Sequence, residues 1–95
     1  MEIALEEARL AAARGEVPVG AVVISPQGAV LARAGNQMRA QRDPSAHAEV
    51  LAIRSACKAL GSERLSGCDL YVTLEPCPMC AGLIAAARID RLYYG

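Results

Sequence analysis

The sequence predicts an α/β fold in which helices pack on one mixed β-sheet, in the order α-β-β-α-β-α-β. Three observations support this prediction. A β-branched apolar run over residues 19–25 is typical of a strand buried on both faces. Two helix starts follow, at Asp43-Pro44-Ser45 and at Pro78, where proline suits the first helical turn. Strand and helix patterns then alternate to residue 94, which predicts a right-handed β-α-β crossover.

The first half of the chain divides into one helix and one hairpin. Residues 1–14 predict a helix because apolar side chains recur among charged ones, and a glycine follows as a suitable stop. Residues 19–25 predict the first strand. A proline–glutamine–glycine turn leads into a second strand over 29–35, so these two strands form a hairpin. The polar residues 36–43 are expected to form a loop.

The second half contains two helices and two strands. The second helix is expected to start at Asp43-Pro44-Ser45 and to end at Gly61. A strand is predicted over 69–74, a third helix from 78 to about 87, and a last short strand over 91–94. The second and third helices are expected to follow neighbouring parallel strands. This arrangement would bring the first turns of the two helices together at the same end of the sheet.

Length and composition restrict the class of protein. We expect residues 1–95 to form a single small domain. Ten basic residues balance ten acidic ones, so the bulk charge does not indicate nucleic-acid binding. No apolar run reaches the roughly 18 residues of a membrane span, and the acidic start does not resemble a secretory signal. We therefore expect a cytoplasmic protein whose cysteines are thiols or metal ligands.

The segments His47-Ala48-Glu49 and Pro76-Cys77-Pro78-Met79-Cys80 carry the candidate chemistry. One imidazole and two thiolates provide three zinc ligands and leave a fourth tetrahedral position open, as in catalytic zinc sites. We expect His47 in the first turn of the second helix, with Cys77 and Cys80 around the start of the third. The positive helix N-termini are expected to lower the thiol pKa values. One zinc ion per chain follows from this arrangement.

Glu49 is two residues past the histidine and is the candidate proton carrier, because it need not bind the metal. Zinc lowers the pKa of bound water toward ~7, so these groups together favour hydrolytic deamination of an amidine-like carbon. Glu75 is at least as suited to a structural hydrogen bond as to catalysis. Cys57 and Cys68 have no partner at metal spacing and are expected to be small apolar residues.

The His-x-Glu and Pro-Cys-x-x-Cys pattern resembles that of the zinc-dependent nucleobase deaminases. Within that superfamily, the chain is most similar to the bacterial tRNA-specific adenosine deaminases, and the likeness covers nearly its whole length. The segments that carry this resemblance are residues 16–22, Asn36, residues 43–49, residues 70–77, residues 79–82 and residues 87–89.

The resemblance implies a cytidine-deaminase-like fold and a zinc hydrolase that converts adenosine to inosine at the wobble position of a tRNA anticodon loop. It also implies a homodimer. Because the family continues beyond the tyrosine-tyrosine-glycine segment, the domain is expected to be incomplete at its C-terminus. The resemblance assigns site residues as follows: His47, Cys77 and Cys80 as zinc ligands, Glu49 as the catalytic residue, and Asn36, the Ala48 N–H and Val19 as substrate-binding groups.

Two other functions remain open at this level. The neutral charge favours a guanine or cytosine deaminase that acts on free bases. An inactive, zinc-stabilised interaction module would carry the same ligands. Asn36, considered alone, could also be a loop asparagine that tolerates a left-handed backbone.

Overall fold

The sheet has four strands in the order β2-β1-β3-β4, and the computed structural model describes all 95 residues. Strand β1 pairs antiparallel with both β2 and β3, whereas β3 and β4 are parallel and are joined through a helix. The predicted α/β class and order of main elements are confirmed. The elements are α1 (Glu2–Ala13), β1 (Gly20–Ile24), β2 (Val30–Gly35), α2 (Met38–Gln41), α3 (Ala48–Leu60), β3 (Asp69–Val72), α4 (Pro78–Ala86) and β4 (Arg91–Tyr94).

One element was not predicted. Residues 36–43 were expected to form a loop, but they contain the one-turn helix α2. Local sequence does not reveal this helix because its first N–H groups are bound by a distant side chain: the Glu16 carboxylate accepts from the N–H groups of Arg39 and Ala40. A helix this short is not stable by itself in water.

The start of the main helix also differs from the prediction. The Asp43 carboxylate accepts hydrogen bonds from the backbone N–H and the hydroxyl of Ser45. These bonds hold residues 43–45 in a turn, so the helix begins later in the chain than predicted. Helix α3 therefore begins at Ala48, and His47 is its extended N-cap residue, with φ −72° and ψ 154°. The expectation that His47 lies in the first helical turn is wrong by one position.

The strands that lead to the two ligand-bearing helices are not neighbours, contrary to the prediction. Strand β1 lies between β2 and β3. Since β1 is antiparallel to both, β2 and β3 nevertheless run in the same direction, and their C-terminal ends lie beside the N-terminal end of β1. Gly20 at the start of β1 pairs with Gly35, and Ala21 pairs with Val72. The segments that follow β2 and β3 therefore emerge on the same side of the sheet.

Helices cover both faces of the sheet. Helix α1 packs so closely on one face that a Cβ atom on Gly20 would lie 2.0 Å from the Ala4 carbonyl oxygen. Helix α3 covers the other face, where Ala52, Ile53 and Ala56 join the buried core. None of the helices has the length and apolarity needed to cross a membrane.

Candidate metal centre

Three side chains converge where α3 and α4 begin. His47 and Cys77 are the N-cap residues of these helices, and Cys80 lies in the first turn of α4. The Sγ atoms of Cys77 and Cys80 lie 3.7 Å and 3.5 Å from Nδ1 of His47. The donor atoms of all three residues are within 4.8 Å of one another. Ideal tetrahedral zinc bonds place sulfur and nitrogen ligands about 3.5 Å apart, so this set fits a zinc ion.

The buried environment of Cys80 corrects one expectation from the sequence. Burial raises the pKa of the Cys80 thiol, and the neighbouring Glu49 carboxylate raises it further. The expectation that the helix N-terminus lowers the pKa of this thiol is therefore wrong for Cys80. A cation bound at this position would favour deprotonation of the thiol, because it would stabilise the thiolate directly.

A cavity of about 250 Å³ opens beside these ligands. Glu49 and Asn36 line it, and each is only 4% exposed. Its apolar lining includes Val17 and Leu74, which are each 57% exposed and lie toward the surface. The cavity thus combines apolar walls with two buried polar side chains, which is typical of a site for a small, partly polar ligand.

Asn36 has an unsatisfied hydrogen-bonding group. Its backbone N–H donates to the Val19 carbonyl at 3.0 Å, and its carbonyl accepts from Nη2 of Arg14 at 3.3 Å. Its side-chain Oδ1 is the only buried side-chain polar atom without a partner. Leaving such a group unpaired costs about 1–3 kcal/mol, so its place in the cavity wall indicates a ligand-binding role.

The structure brings together all of the site residues predicted from the sequence. Val19, Asn36, Ala48 and Glu49 line the cavity next to the metal-ligand cluster. Glu75 is an exposed part of the same lining. Sequence patterns missed Val17, Met38 and Leu74, because isolated apolar residues outside the long helices and strands carry no periodic signal.

The remaining two cysteines lie elsewhere. Both are free thiols. Cys68 is completely buried within the core cluster, and Cys57 packs against that cluster. Burial raises the pKa of each thiol, as expected for small apolar core residues. Their interpretation as part of the core agrees with this placement.

Comparisons with known proteins agree with the geometry. The model of the cytidine and deoxycytidylate deaminase zinc-binding region matches residues 1–95. A tRNA-specific adenosine deaminase of Agrobacterium fabrum is 62% identical over 95 residues, which are all of this chain and 62% of that protein. The chain spans about three fifths of the length of the bacterial tRNA-specific adenosine deaminases that it matches.

Two solved structures are also similar. One comes from a study of A-to-I editing by tRNA:A34 deaminases at the wobble position of transfer RNA. It has a TM-score of 0.97 and 62% identity, and the match covers 100% of this chain and 72% of that one. A guanine deaminase from Bacillus subtilis has a TM-score of 0.95 and 43% identity, covering 99% and 60%. The chain belongs to the cytidine and deoxycytidylate deaminase family, whose shared feature is this zinc-binding region.

Proposed function

We propose that this protein is a zinc-dependent hydrolase that converts adenosine to inosine at the wobble position of tRNA. One observation carries the proposal: the buried Glu49 carboxylate lies beside the His47, Cys77 and Cys80 cluster, in a cavity that also holds the unpaired Oδ1 of Asn36. The 62% identity with a tRNA-specific adenosine deaminase supports this choice of substrate.

His47, Cys77 and Cys80 are the proposed zinc ligands, and Glu49 is the proposed catalytic residue. Zinc bound there would supply a Lewis acid that brings the pKa of water close to neutrality. Glu49 accepts the proton of the attacking water and delivers it to a ring nitrogen of adenine. Water thereby adds at the ring carbon that carries the amine. Glu49 then takes the proton of the new hydroxyl and delivers it to the exocyclic amine, so that the carbon–nitrogen bond breaks, ammonia leaves and the hydroxyl becomes the carbonyl of inosine.

The remaining lining residues would hold the base. Asn36 offers its unpaired amide group to a polar edge of the purine. Ala48 is the first residue of α3, where a backbone N–H has no partner within the helix and can donate to the ligand. Val19 contributes apolar surface. A nucleotide in an anticodon loop can enter such a pocket at low cost, because it is not held in a duplex.

We further propose that the protein acts in the cytoplasm as a homodimer that binds the anticodon loop. The name of the Agrobacterium relative supports a tRNA partner. Light scattering of the zinc-loaded protein measures the oligomeric state: a mass of two chains is expected, and a monomer at all concentrations would contradict the dimer.

An assay with two substrates separates the candidate functions. The zinc-loaded protein is incubated with an anticodon stem-loop RNA that has adenosine at the wobble position, and separately with free guanine and cytosine. Inosine in the RNA is expected, with no ammonia from the free bases. Ammonia from guanine alone would favour the alternative suggested by the Bacillus subtilis guanine deaminase structure. Stoichiometric zinc without any turnover would favour an interaction module.

A further inference from the structure

Glu16 is a buried carboxylate outside the metal centre, and it forms none of the ion pairs in the structure. It is only 7% exposed. Its Oε1 accepts the N–H of Arg39 at 3.0 Å, and its Oε2 accepts the N–H of Ala40 at 2.8 Å. Both carboxylate oxygens of Glu16 thus accept hydrogen bonds from consecutive backbone N–H groups, which lie 23 and 24 residues away in sequence.

These hydrogen bonds provide the N-terminal cap that helix α2 otherwise lacks. Its N-cap residue Gln37 makes no side-chain capping bond. Unsatisfied N–H groups at the start of a helix require an acceptor, and a negative charge there also interacts favourably with the helix dipole. Because a four-residue helix is not stable alone, its position depends on contacts such as these.

Glu16 therefore connects two segments of the cavity wall. Val17 follows it directly, and Met38 is the first residue of the helix that it caps; both line the catalytic cavity. Asn36 lies two residues before that helix. A second cavity, of about 350 Å³, adjoins this region and shares Val17, Asn36 and Met38 with the catalytic cavity. Because Val17, Asn36 and Met38 line both cavities, their positions depend on how firmly the Val17 segment and α2 are joined.

We infer that Glu16 is a positioning residue: by capping α2, it holds Met38 and Asn36 against the Val17 segment and so sets the fit of the base in the catalytic cavity. This inference rests on the proposed function. It assigns to Glu16 no contact with the substrate and no part in proton transfer. Its loss should therefore weaken substrate binding more than it slows the chemical step.

The test uses Glu16→Ala and Glu16→Gln in the zinc-loaded full chain, with Glu2→Gln as a control that removes an exposed carboxylate on α1. Glutamine keeps the shape and one acceptor oxygen, so Glu16→Gln remains informative if the alanine variant does not fold. Amide hydrogen exchange at Arg39 and Ala40 reports on the cap without any need for turnover. Titration with purine riboside and steady-state kinetics on the stem-loop RNA report on the cavity.

In Glu16→Ala, exchange at Arg39 and Ala40 should accelerate about tenfold, as expected for the loss of a hydrogen bond to a charged group. Exchange in α3 and the sheet should not change. Binding of purine riboside should weaken and KM rise by a similar factor, about tenfold, while kcat stays within about threefold. Glu16→Gln should show smaller changes in the same direction, and Glu2→Gln none.

Unchanged exchange at Arg39 and Ala40 would overturn the capping role. Faster exchange with unchanged purine riboside binding and KM would overturn the link to the cavity, leaving Glu16 a purely structural residue. A parent protein that neither binds purine riboside nor forms inosine would instead refute the proposed function, and the effect on substrate fit with it. The exchange data would still decide the capping role separately.

Discussion

Two buried polar side chains, Glu49 and Asn36, line the cavity beside the metal-ligand cluster. Glu49 supplies a carboxylate next to the metal ligands, and Asn36 supplies an acceptor that no protein group satisfies. The sequence predicted both side chains. It also predicted the set of His47, Cys77 and Cys80, because the residue types and spacing of a metal-binding motif can be recognised in the sequence itself. It could not predict that the pKa of the Cys80 thiol is raised, because this shift depends on burial in the folded structure.

Replacement of Glu49 by glutamine should separate metal binding from turnover. Glu49→Gln keeps the side-chain shape and removes the proton carrier, so zinc content should stay at one ion per chain. The rate of inosine formation should fall by about 10²–10⁴, the usual contribution of a general acid–base. Metal analysis and single-turnover kinetics measure the two quantities. Activity close to that of the parent would show that another group moves the proton.

Zinc uptake should release protons because burial holds Cys80 in its thiol form. The apparent zinc affinity should therefore rise with pH throughout the range below the raised pKa of this thiol. Calorimetric titration in two buffers with different ionisation enthalpies gives the number of protons released at pH 7. Uptake with no proton release and no pH dependence would mean that the thiolates exist before the metal binds.

At the level of elements, the site depends on the position of β1 between the strands that lead to α3 and α4. The sequence predicted the main helices and strands because apolar runs, apolar periodicity and helix-start residues are local signals. It did not predict the placement of β1, because pairing between strands is set by contacts distant in sequence. It also missed α2, whose cap comes from Glu16.

The packing of α1 on the sheet requires glycine at position 20. An added Cβ in Gly20→Ala would lie 2.0 Å from the Ala4 carbonyl oxygen and 2.5 Å from the Ala8 nitrogen, both of which are backbone atoms. We expect a loss of about 3 kcal/mol or more in the free energy of unfolding, because the helix must shift. Urea unfolding of the zinc-loaded protein measures this loss.

Gly82→Ala provides the matched control, since nothing lies within 4 Å of an added Cβ there and the residue is inside α4. This change should stabilise the protein by about 0.5–1 kcal/mol. Equal effects of the two substitutions would contradict the proposed close contact between α1 and β1.

Across the whole molecule, the cavity beside the metal-ligand cluster is formed by a chain with balanced charge. Ten basic and ten acidic residues leave no net charge. Strand β4 lies at the sheet edge, and all four of its residues are exposed. The zinc chemistry and fold class were predictable because they depend on local motifs and periodicity. A surface for the proposed RNA partner was not predictable, because it would depend on how scattered side chains are arranged in three dimensions.

The balanced charge predicts a weak salt dependence of RNA binding. If only two or three phosphates are contacted, the slope of log affinity against log salt should be about −2 or shallower. Fluorescence anisotropy of a labelled anticodon stem-loop at several salt concentrations measures this slope. A slope several times steeper would indicate a basic surface that the net charge does not reveal.

The proposed reaction is deamination of adenosine in RNA by hydrolysis at the zinc site. The most direct measurement is mass spectrometry of a wobble-adenosine stem-loop after incubation with the zinc-loaded protein in water enriched in heavy oxygen. We predict inosine at the wobble position carrying one heavy oxygen at the former amino carbon, formed about 10²–10⁴ times more slowly by Glu49→Gln. Unchanged adenosine in the presence of stoichiometric zinc, or inosine without heavy oxygen, would contradict the proposed reaction.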